Sequence, residues 1–430
     1  MRSMIFGRKT RRASEPGQCD GAALSGLDAH EEHLRSRFDS IAPFTVGAEE
    51  EFMLIDPETL ALLPGAERVL AIAEGDTRLT GELRASQIET ISPICVSVPD
   101  LQRELASVRG LLAGRLGDSA WLLAAGTHPL AVEPGPLATG RRYQELAFAH
   151  PWAATHTLTC GFHVHVAVGG ADRTLAVYNS LRNYLPEFVA LAANAPFYRG
   201  EDSGLATARP KLNGCWPRVG VPPAFSSWRD LAQFTLWARD GGAFPDESQH
   251  WWDLRLNTRH GTIEVRAPDV QTRVEDAATL AALIQSVVVA LATRYDAGED
   301  LPVARDERIV ENMWLATRDG VGGWLIDLET GERLFTGDRL VALVEELFET
   351  ARSIGCEREL AGVRRLVMDG GGAARQRELY DEDGPQSLVT ALAHETVTPV
   401  AVGQRDQQGA SVRRAVSSAM LDSTVLTRGD

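Results

Sequence analysis

The stretch WWDLRLNTRHGTIEVRAPD, residues 251–269, constrains the fold more tightly than any other part of the chain. Apolar and polar residues alternate over 251–257 and again over 262–267. The four residues Thr258–Gly261 between them suit a hairpin turn. If Asn257 pairs with Thr262, Arg255 faces Glu264 and Asp253 faces Arg266, while Leu254 and Leu256 lie opposite Val265 and Ile263. One face is then a ladder of opposite charges and the other is a core face. A chain carrying this hairpin needs an antiparallel sheet that is apolar beneath and ionic above. The ladder is either structural, at a few tenths to about 1 kcal/mol per pair, or the lining of a site.

A second strand has the same two-sided character. TVGAEEEFMLID, 45–56, crowds Glu49, Glu50 and Glu51 between a glycine and an apolar run. Alternation puts Glu49 and Glu51 on one face and Glu50 on the other with Ala48 and Phe52. Charges about 4 Å apart repel by roughly 4 kcal/mol at an effective dielectric of 20, so something should compensate them. A divalent cation on the Glu49/Glu51 face would do so, since hard cations take oxygen ligands; a solvated edge strand is the alternative. CGFHVHV, 160–166, places His163 and His165 on one face and Phe162, Val164 and Val166 on the other. Two imidazoles on a sheet face suit metal binding, base catalysis or phosphate contact, or simply a hydrogen-bonded pair in a polar cleft. GELRASQIET carries Glu82 and Glu89 seven positions apart, a spacing that shares a helix face but not the face of an unbroken strand.

Elsewhere the pattern predicts a short helix at 68–74, a helix at 100–116 with Asp100 as its N-cap, and a buried strand in AWLLAAGTHPL. It predicts a helix from Arg173 to about Ala193, kinked or split at Pro186, and a strongly apolar helix within 274–295. Residues 196–250 are rich in Pro, Gly, Trp and Arg and lack sustained periodicity, which reads as a functional loop or lid. Residues 305–396 are mainly helical, with amphipathic patterns at 338–352, 357–368 and 374–380. Strands mixed with helices without a βαβ rhythm predict an α+β fold with a largely antiparallel sheet. Residues 1–40 read as a flexible extension with at most a short helix, 41–398 as a single folded domain and 399–430 as a disordered tail.

Composition excludes several classes of function. A net charge of -16 argues against nucleic acid as the main partner, because such binding rests on neutralising phosphates with Lys and Arg. No run approaches the roughly 18 uninterrupted apolar residues of a membrane span, so no membrane is expected as partner. The basic N-terminus has no apolar segment before its charges, and the five scattered cysteines contain no C-x-x-C pair. Both features fit a cytoplasmic protein with reduced thiols. There is no G-x-x-x-x-G-K-[ST] phosphate loop and no G-x-S-x-G nucleophile elbow.

Taken in order, VGAEEEFMLIDPET, GELRASQIET, TCGFHVHV, LAANAPFYRGEDSGLATAR, WWDLRLNTRHGTIEVRAPD, ENMWLATRDG and GGAARQRELY resemble the carboxylate-amine ligases of the glutamate-cysteine ligase type 2 family, over roughly 44–396. The resemblance implies a fold like that of glutamine synthetase, an antiparallel sheet curved into a funnel and flanked by helices, with 41–398 as one catalytic ligase domain. It implies ATP and Mg²⁺ as cofactors, and activation of a carboxylate as an acyl phosphate followed by attack of an amine. For the namesake reaction the substrates are glutamate and cysteine. It further implies Glu49, Glu51, Glu82, Glu89, His163 and Glu264 as metal ligands, Arg266 as the contact to the transferred phosphoryl group, Arg255 as a weaker anion-binding residue, and a homodimer. Choosing His163 over His165 rests on the relation to glutamine synthetase alone. KLNGCWPRVGVPPAFSS, 211–227, departs from the family pattern and leaves acceptor recognition open.

Two other readings stand beside this one. A zinc-dependent amidohydrolase also places H-x-H on a strand, although no second H-x-H and no H-E-x-x-H occurs here. A nucleotide-binding relative that has lost turnover is the non-catalytic alternative.

Overall fold

The two-faced strands pair as their alternation requires. The structure is a computed structural model and describes residues 20–73 and 75–398. Seven strands form one antiparallel sheet: β1 (Val46–Ile55), β2 (Leu79–Gly81), β3 (Gln87–Ile91), β4 (Trp121–Leu123), β5 (Phe162–Ala167), β6 (Leu254–Asn257) and β7 (Thr262–Val265). Their order is β2-β3-β1-β5-β7-β6, with β4 beside the far end of β1, and the sheet does not close on itself. The hairpin register is the expected one, Arg255 opposite Glu264 and Asn257 opposite Thr262. Beyond the ladder, Arg266 N donates to Asp253 O at 2.8 Å, which extends the pairing in the same sense.

β1 is the spine. Its first half alternates between buried and half-buried residues, and from Phe52 onward every residue is buried. The change marks where β4 takes over from β5 as neighbour, at Met53 opposite Leu123. The underside of the sheet, including Ala48, Val164, Val166, Leu256, Ile263 and Val265, packs into one apolar core with helix Val274–Asp296. That helix is long and apolar enough to cross a bilayer, yet it is almost wholly buried inside the molecule, a core helix rather than a span. The predicted break at Pro186 is real: helix Ala171–Leu181 gives way to a 3₁₀ turn, and a new helix, Leu185–Ala192, begins with the proline in its first turn.

Several boundaries differ from expectation. Helix Val98–Leu116 is capped by Ser97, whose hydroxyl accepts Asp100 N–H and donates to Asp100 Oδ2. AWLLAAGTHPL is extended only over Trp121–Leu123. Beyond it Thr396 Oγ1 and Thr272 Oγ1 satisfy the backbone of Ala124 and end the ladder. The segment 196–250 is not an open lid. It contains helix Trp228–Asp240, started by the cap Ser227-x-x-Asp230, and Trp228 is buried.

The N-terminal expectation also changes. Asp20–Ser40 is one helix, with Leu34 and Phe38 fully buried and the Phe38 ring 5.0 Å from that of Trp228. Its end is tied down where Asp39 accepts Ala171 N at 2.7 Å. Residues 1–19 and the tail expected at 399–430 lie outside the described residues. Phe38→Ala should cost about 3–5 kcal/mol in denaturant unfolding, as emptying a buried aromatic site does; an unchanged midpoint would mean that this helix is not part of the folded unit.

Candidate functional site

The upper face of the sheet collects the acids. Register sets Glu51 directly opposite Glu89, Glu49 opposite His163, and His165 opposite Glu264, which in turn faces Arg255. Glu82 joins them because the strand is broken: β2 ends at Gly81, the chain turns, and β3 returns antiparallel with Thr80 opposite Glu89. A seven-residue spacing that an unbroken strand would split is thereby folded onto one face.

Two groups of potential ligand atoms result, Glu49/His163/Glu264 and Glu51/Glu89/His163, each with its atoms within 4.8 Å of one another. His163 belongs to both. Its Nδ1 is 3.0 Å from Glu49 Oε2 and its Nε2 is 3.7 Å from Glu51 Oε1. His165 Nε2 lies 3.3 Å from Glu49 Oε1 and 4.0 Å from Glu264 Oε2, while its Nδ1 meets Thr262 Oγ1 at 3.0 Å. The geometry therefore favours His163 as the residue shared between ligand groups, with His165 beside it. Glu82 stands next to these groups rather than inside either; its Oε1 accepts Leu83 N at 3.0 Å.

Glu264 is the most enclosed acid of this face, with no solvent exposure. Arg255 grips it with Nε at 3.0 Å and Nη2 at 2.7 Å, Asn257 Nδ2 donates at 2.8 Å, and Arg266 Nη1 donates to its other oxygen. Arg266 also approaches His163 Nδ1 at 3.4 Å. Asn257, a partner that the sequence reading did not single out, sits two residues after Arg255, on the same face by alternation.

The protonation preferences follow from these contacts. Burial pushes the Glu82 carboxyl up to about 7, with repulsion from Glu51 adding to it. Burial and then Glu49, Glu82 and Glu51 push Glu89 well above the usual carboxylate range. Glu49 and Glu264 go the other way. Burial would raise both, but the two histidines hold Glu49 far down, and Arg255 and Arg266 do the same for Glu264. Burial and the Arg266 charge lower His163, which keeps the imidazole neutral. Burial would also lower His165, but Glu264 and Glu49 raise it.

Five carboxyl groups thus face two guanidiniums, and the mutual repulsion that favours protonation concentrates on the Glu51, Glu82 and Glu89 side. In the tautomer that donates Nδ1–H to Glu49, His163 Nε2 presents a lone pair toward Glu51; that nitrogen and His165 Nε2 are buried and make no hydrogen bond. Carboxylate oxygens and an imidazole lone pair that outnumber the donors beside them fit divalent cations. Oxygen ligands with an imidazole suit Mg²⁺ or Mn²⁺ better than the nitrogen and sulfur sets typical of structural zinc.

Glu50 lies on the opposite face and is fully buried. Arg109 bonds it through Nε at 3.1 Å and through Nη2, and spends its remaining N–H groups on the carbonyls of Thr272, Thr396 and Gln271. The triple glutamate is therefore divided between a charged face above and a neutralised ion pair below.

The chain's similarities agree with this geometry. A family model described as glutamate-cysteine ligase family 2 matches residues 45–416. A Rubrobacter xylanophilus protein provisionally named glutamate–cysteine ligase 2-3 is 38% identical over 372 residues, covering 84% of this chain and 100% of that protein. A Thermobifida fusca relative provisionally named glutamate–cysteine ligase 2 is 33% identical over 360 residues, covering 82% and 90% respectively. Among solved structures, the glutamate–cysteine ligase of Francisella tularensis in complex with AMP matches with a TM-score of 0.59 at 13% identity, over 91% of this chain and 96% of that one. The bifunctional glutathione synthetase of Pasteurella multocida gives 0.59 at 14% identity, over 86% and 54%. At such identities the structural likeness speaks for the fold; the sequence matches speak for the family. They also set aside the zinc amidohydrolase alternative, whose H-x-H strand is here one part of an acid-rich ligase sheet. The chain belongs to glutamate-cysteine ligase family 2 and is an ATP-dependent ligase that forms carbon–nitrogen bonds.

Proposed function

We propose that the charged face of the sheet joins the side-chain carboxylate of glutamate, or a closely similar acid, to the amino group of cysteine or another small amine. The observation that carries the reading is the convergence of Glu49, Glu51, Glu89, His163 and Glu264 on two overlapping ligand groups with Arg255 and Arg266 beside them. In the first step an oxygen of the substrate carboxylate attacks the γ-phosphorus of ATP, the bond to the β-phosphate oxygen breaks, and ADP leaves. In the second the amine attacks the acyl carbon, phosphate departs with the C–O electron pair, and the nitrogen loses a proton.

Phosphoryl transfer requires positioning and neutralisation of charge more than covalent help from the protein. Glu49, Glu51, Glu89, His163 and Glu264, with Glu82 adjacent, would hold Mg²⁺, which when bound supplies charge neutralisation to the phosphate oxygens. Arg266 stays a guanidinium, because burial, which would discharge it, is overcome by the charge and hydrogen bond of Glu264. It would donate to the transferred phosphoryl group. Arg255 keeps Glu264 ionised and in one rotamer. Asp253, at the bend just before β6, has a carboxyl pushed up to about 6 by burial, with Arg209 and Arg266 nearby.

The cysteines Cys95, Cys160, Cys215 and Cys356 are free, which supports the cytoplasmic placement. A homodimer is part of the proposal on the family resemblance alone. An ADP-release screen of amino acids and amines with Mg²⁺ and ATP, starting with glutamate plus cysteine, tests the function. Turnover should require both an acid and an amine and should disappear with EDTA. Binding of ATP without ADP release across the panel would replace this reading with the non-catalytic one.

A further inference from the structure

Arg209 is not among the ligand and anion-binding residues named above; it closes the landmark LAANAPFYRGEDSGLATAR and opens a short helical turn, Arg209–Asn213. It is 6% exposed. Nη1 donates to Ala267 O at 2.9 Å and Nη2 to Arg266 O at 3.1 Å, so the guanidinium holds the two carbonyls that follow β7. Its Nε is buried without a partner among the described residues. Gly161 makes room for it. A Cβ there would stand 2.3 Å from Arg209 Nη2 and 3.0 Å from His163 Nε2, so the guanidinium passes through space that only glycine leaves open and comes up beside the shared histidine. Gly161 is also tied to the acids, since its N–H donates to Glu51 Oε2 at 2.6 Å.

We infer that Arg209 is a positioning residue for the phosphoryl-transfer step: it clamps the backbone at Arg266 and Ala267 and so fixes Arg266 where that side chain reaches both Glu264 and the phosphoryl group. The inference rests on the ligase reading and adds to it a residue and a cradle. Planarity matters here. Two carbonyls from adjacent residues are met by two amino groups of one rigid fork, which an ammonium cannot reproduce. The bland role is charge balance for the half-buried Asp253 and the buried Asp269, whose carboxyls both feel the Arg209 charge. A lysine would still serve that role in part.

The two roles part in a double-mutant cycle read by binding. Dissociation constants of the full-length protein for MgATP and MgADP give the discrimination contributed by the γ-phosphate. Arg266→Lys should reduce that ratio by about tenfold or more, the scale of a charged hydrogen bond. Arg209→Lys should reduce it similarly in the wild-type background and change it no further in the Arg266→Lys background, because residues acting as one unit are not additive. A ratio unchanged by Arg209→Lys, or two reductions that multiply in the double variant, overturns the assignment. Should Arg209→Lys fail to fold, Gly161→Ala, which keeps the arginine and displaces its guanidinium, gives the same reading: an unchanged ratio there overturns the assignment too. Wild-type protein that binds MgATP no better than MgADP would overturn the phosphoryl role of Arg266, and with it both this inference and the function proposed above.

Discussion

Glu264→Gln is expected to abolish ATP turnover while leaving a folded protein. The substitution keeps the shape of the side chain but removes the charge that Arg255 and Arg266 share, and turns one acceptor of their hydrogen bonds into a donor. Two half-buried guanidiniums then lose their shared counter-charge, and the Glu49/His163/Glu264 group loses its only fully enclosed acid. Breaking a buried charge cluster by removing one partner costs about 3–5 kcal/mol, of which the glutamine recovers a share through its remaining carbonyl oxygen. The loss in rate should be larger than the loss in stability suggests. Preorganised charge in a closed site is worth about 100- to 1,000-fold per group, so ADP release should fall at least that far. Thermal unfolding and ADP release measured on one preparation check this. A variant with full turnover would remove Glu264 from the site.

The second large effect is an asymmetry within three consecutive residues. Glu49→Gln and Glu51→Gln should each lower ADP release by about 100-fold or more, since each contributes to a different ligand group. Glu51→Gln should change stability little or improve it, because it removes a charge that repels Glu82 and Glu89, whereas Glu49→Gln should lose some stability, because the two histidines favour its ionised form. Glu50→Gln should do the reverse. It strips the charge partner from a fully buried arginine, which costs about 3–5 kcal/mol, while the catalytic face is left intact. Unfolding midpoints and specific activity per folded molecule separate the two classes. Loss of turnover in a stable Glu50→Gln protein would contradict the assignment of faces.

Both predictions could be framed from the sequence because alternation in a strand is a strong constraint. Once 46–55, 162–167 and 262–265 are strands, the faces of Glu49, Glu50, His163 and Glu264 follow, and the hairpin fixes the pairing of Arg255 with Glu264. What stayed hidden depends on contacts between distant segments. Nothing in the order of residues says that Arg109 meets Glu50 across 59 positions, or that its other donors reach the carbonyls at 271, 272 and 396. Glu82 and Glu89 were misleading for a local reason: the turn between β2 and β3 reverses the chain, and a spacing rule for one strand does not apply across a reversal. Helix Trp228–Asp240 was legible after all, since SSWRD carries its cap, but the surrounding Pro, Gly and Trp residues obscured the period. Asp20–Ser40 was harder, because its polar composition conceals two residues, Leu34 and Phe38, that the rest of the fold buries completely.

The helix Val274–Asp296 has a consequence for the chain's biogenesis and its engineering. It follows on the last catalytic strand, and while the sheet and earlier helices cover one flank, the other is covered by residues not yet synthesised when it emerges, including Leu340, Leu343, Leu360 and Val363. A fragment cut after the hairpin would retain all the acids, histidines and arginines of the sheet and still fail as a minimal ligase. One cut near residue 330 would leave the flank of this helix that faces 340–366 uncovered, a long apolar strip that attracts chaperones or aggregates. The C-terminal third is therefore the intramolecular shield of the catalytic half, and deletion libraries should recover soluble protein only when that shield is kept.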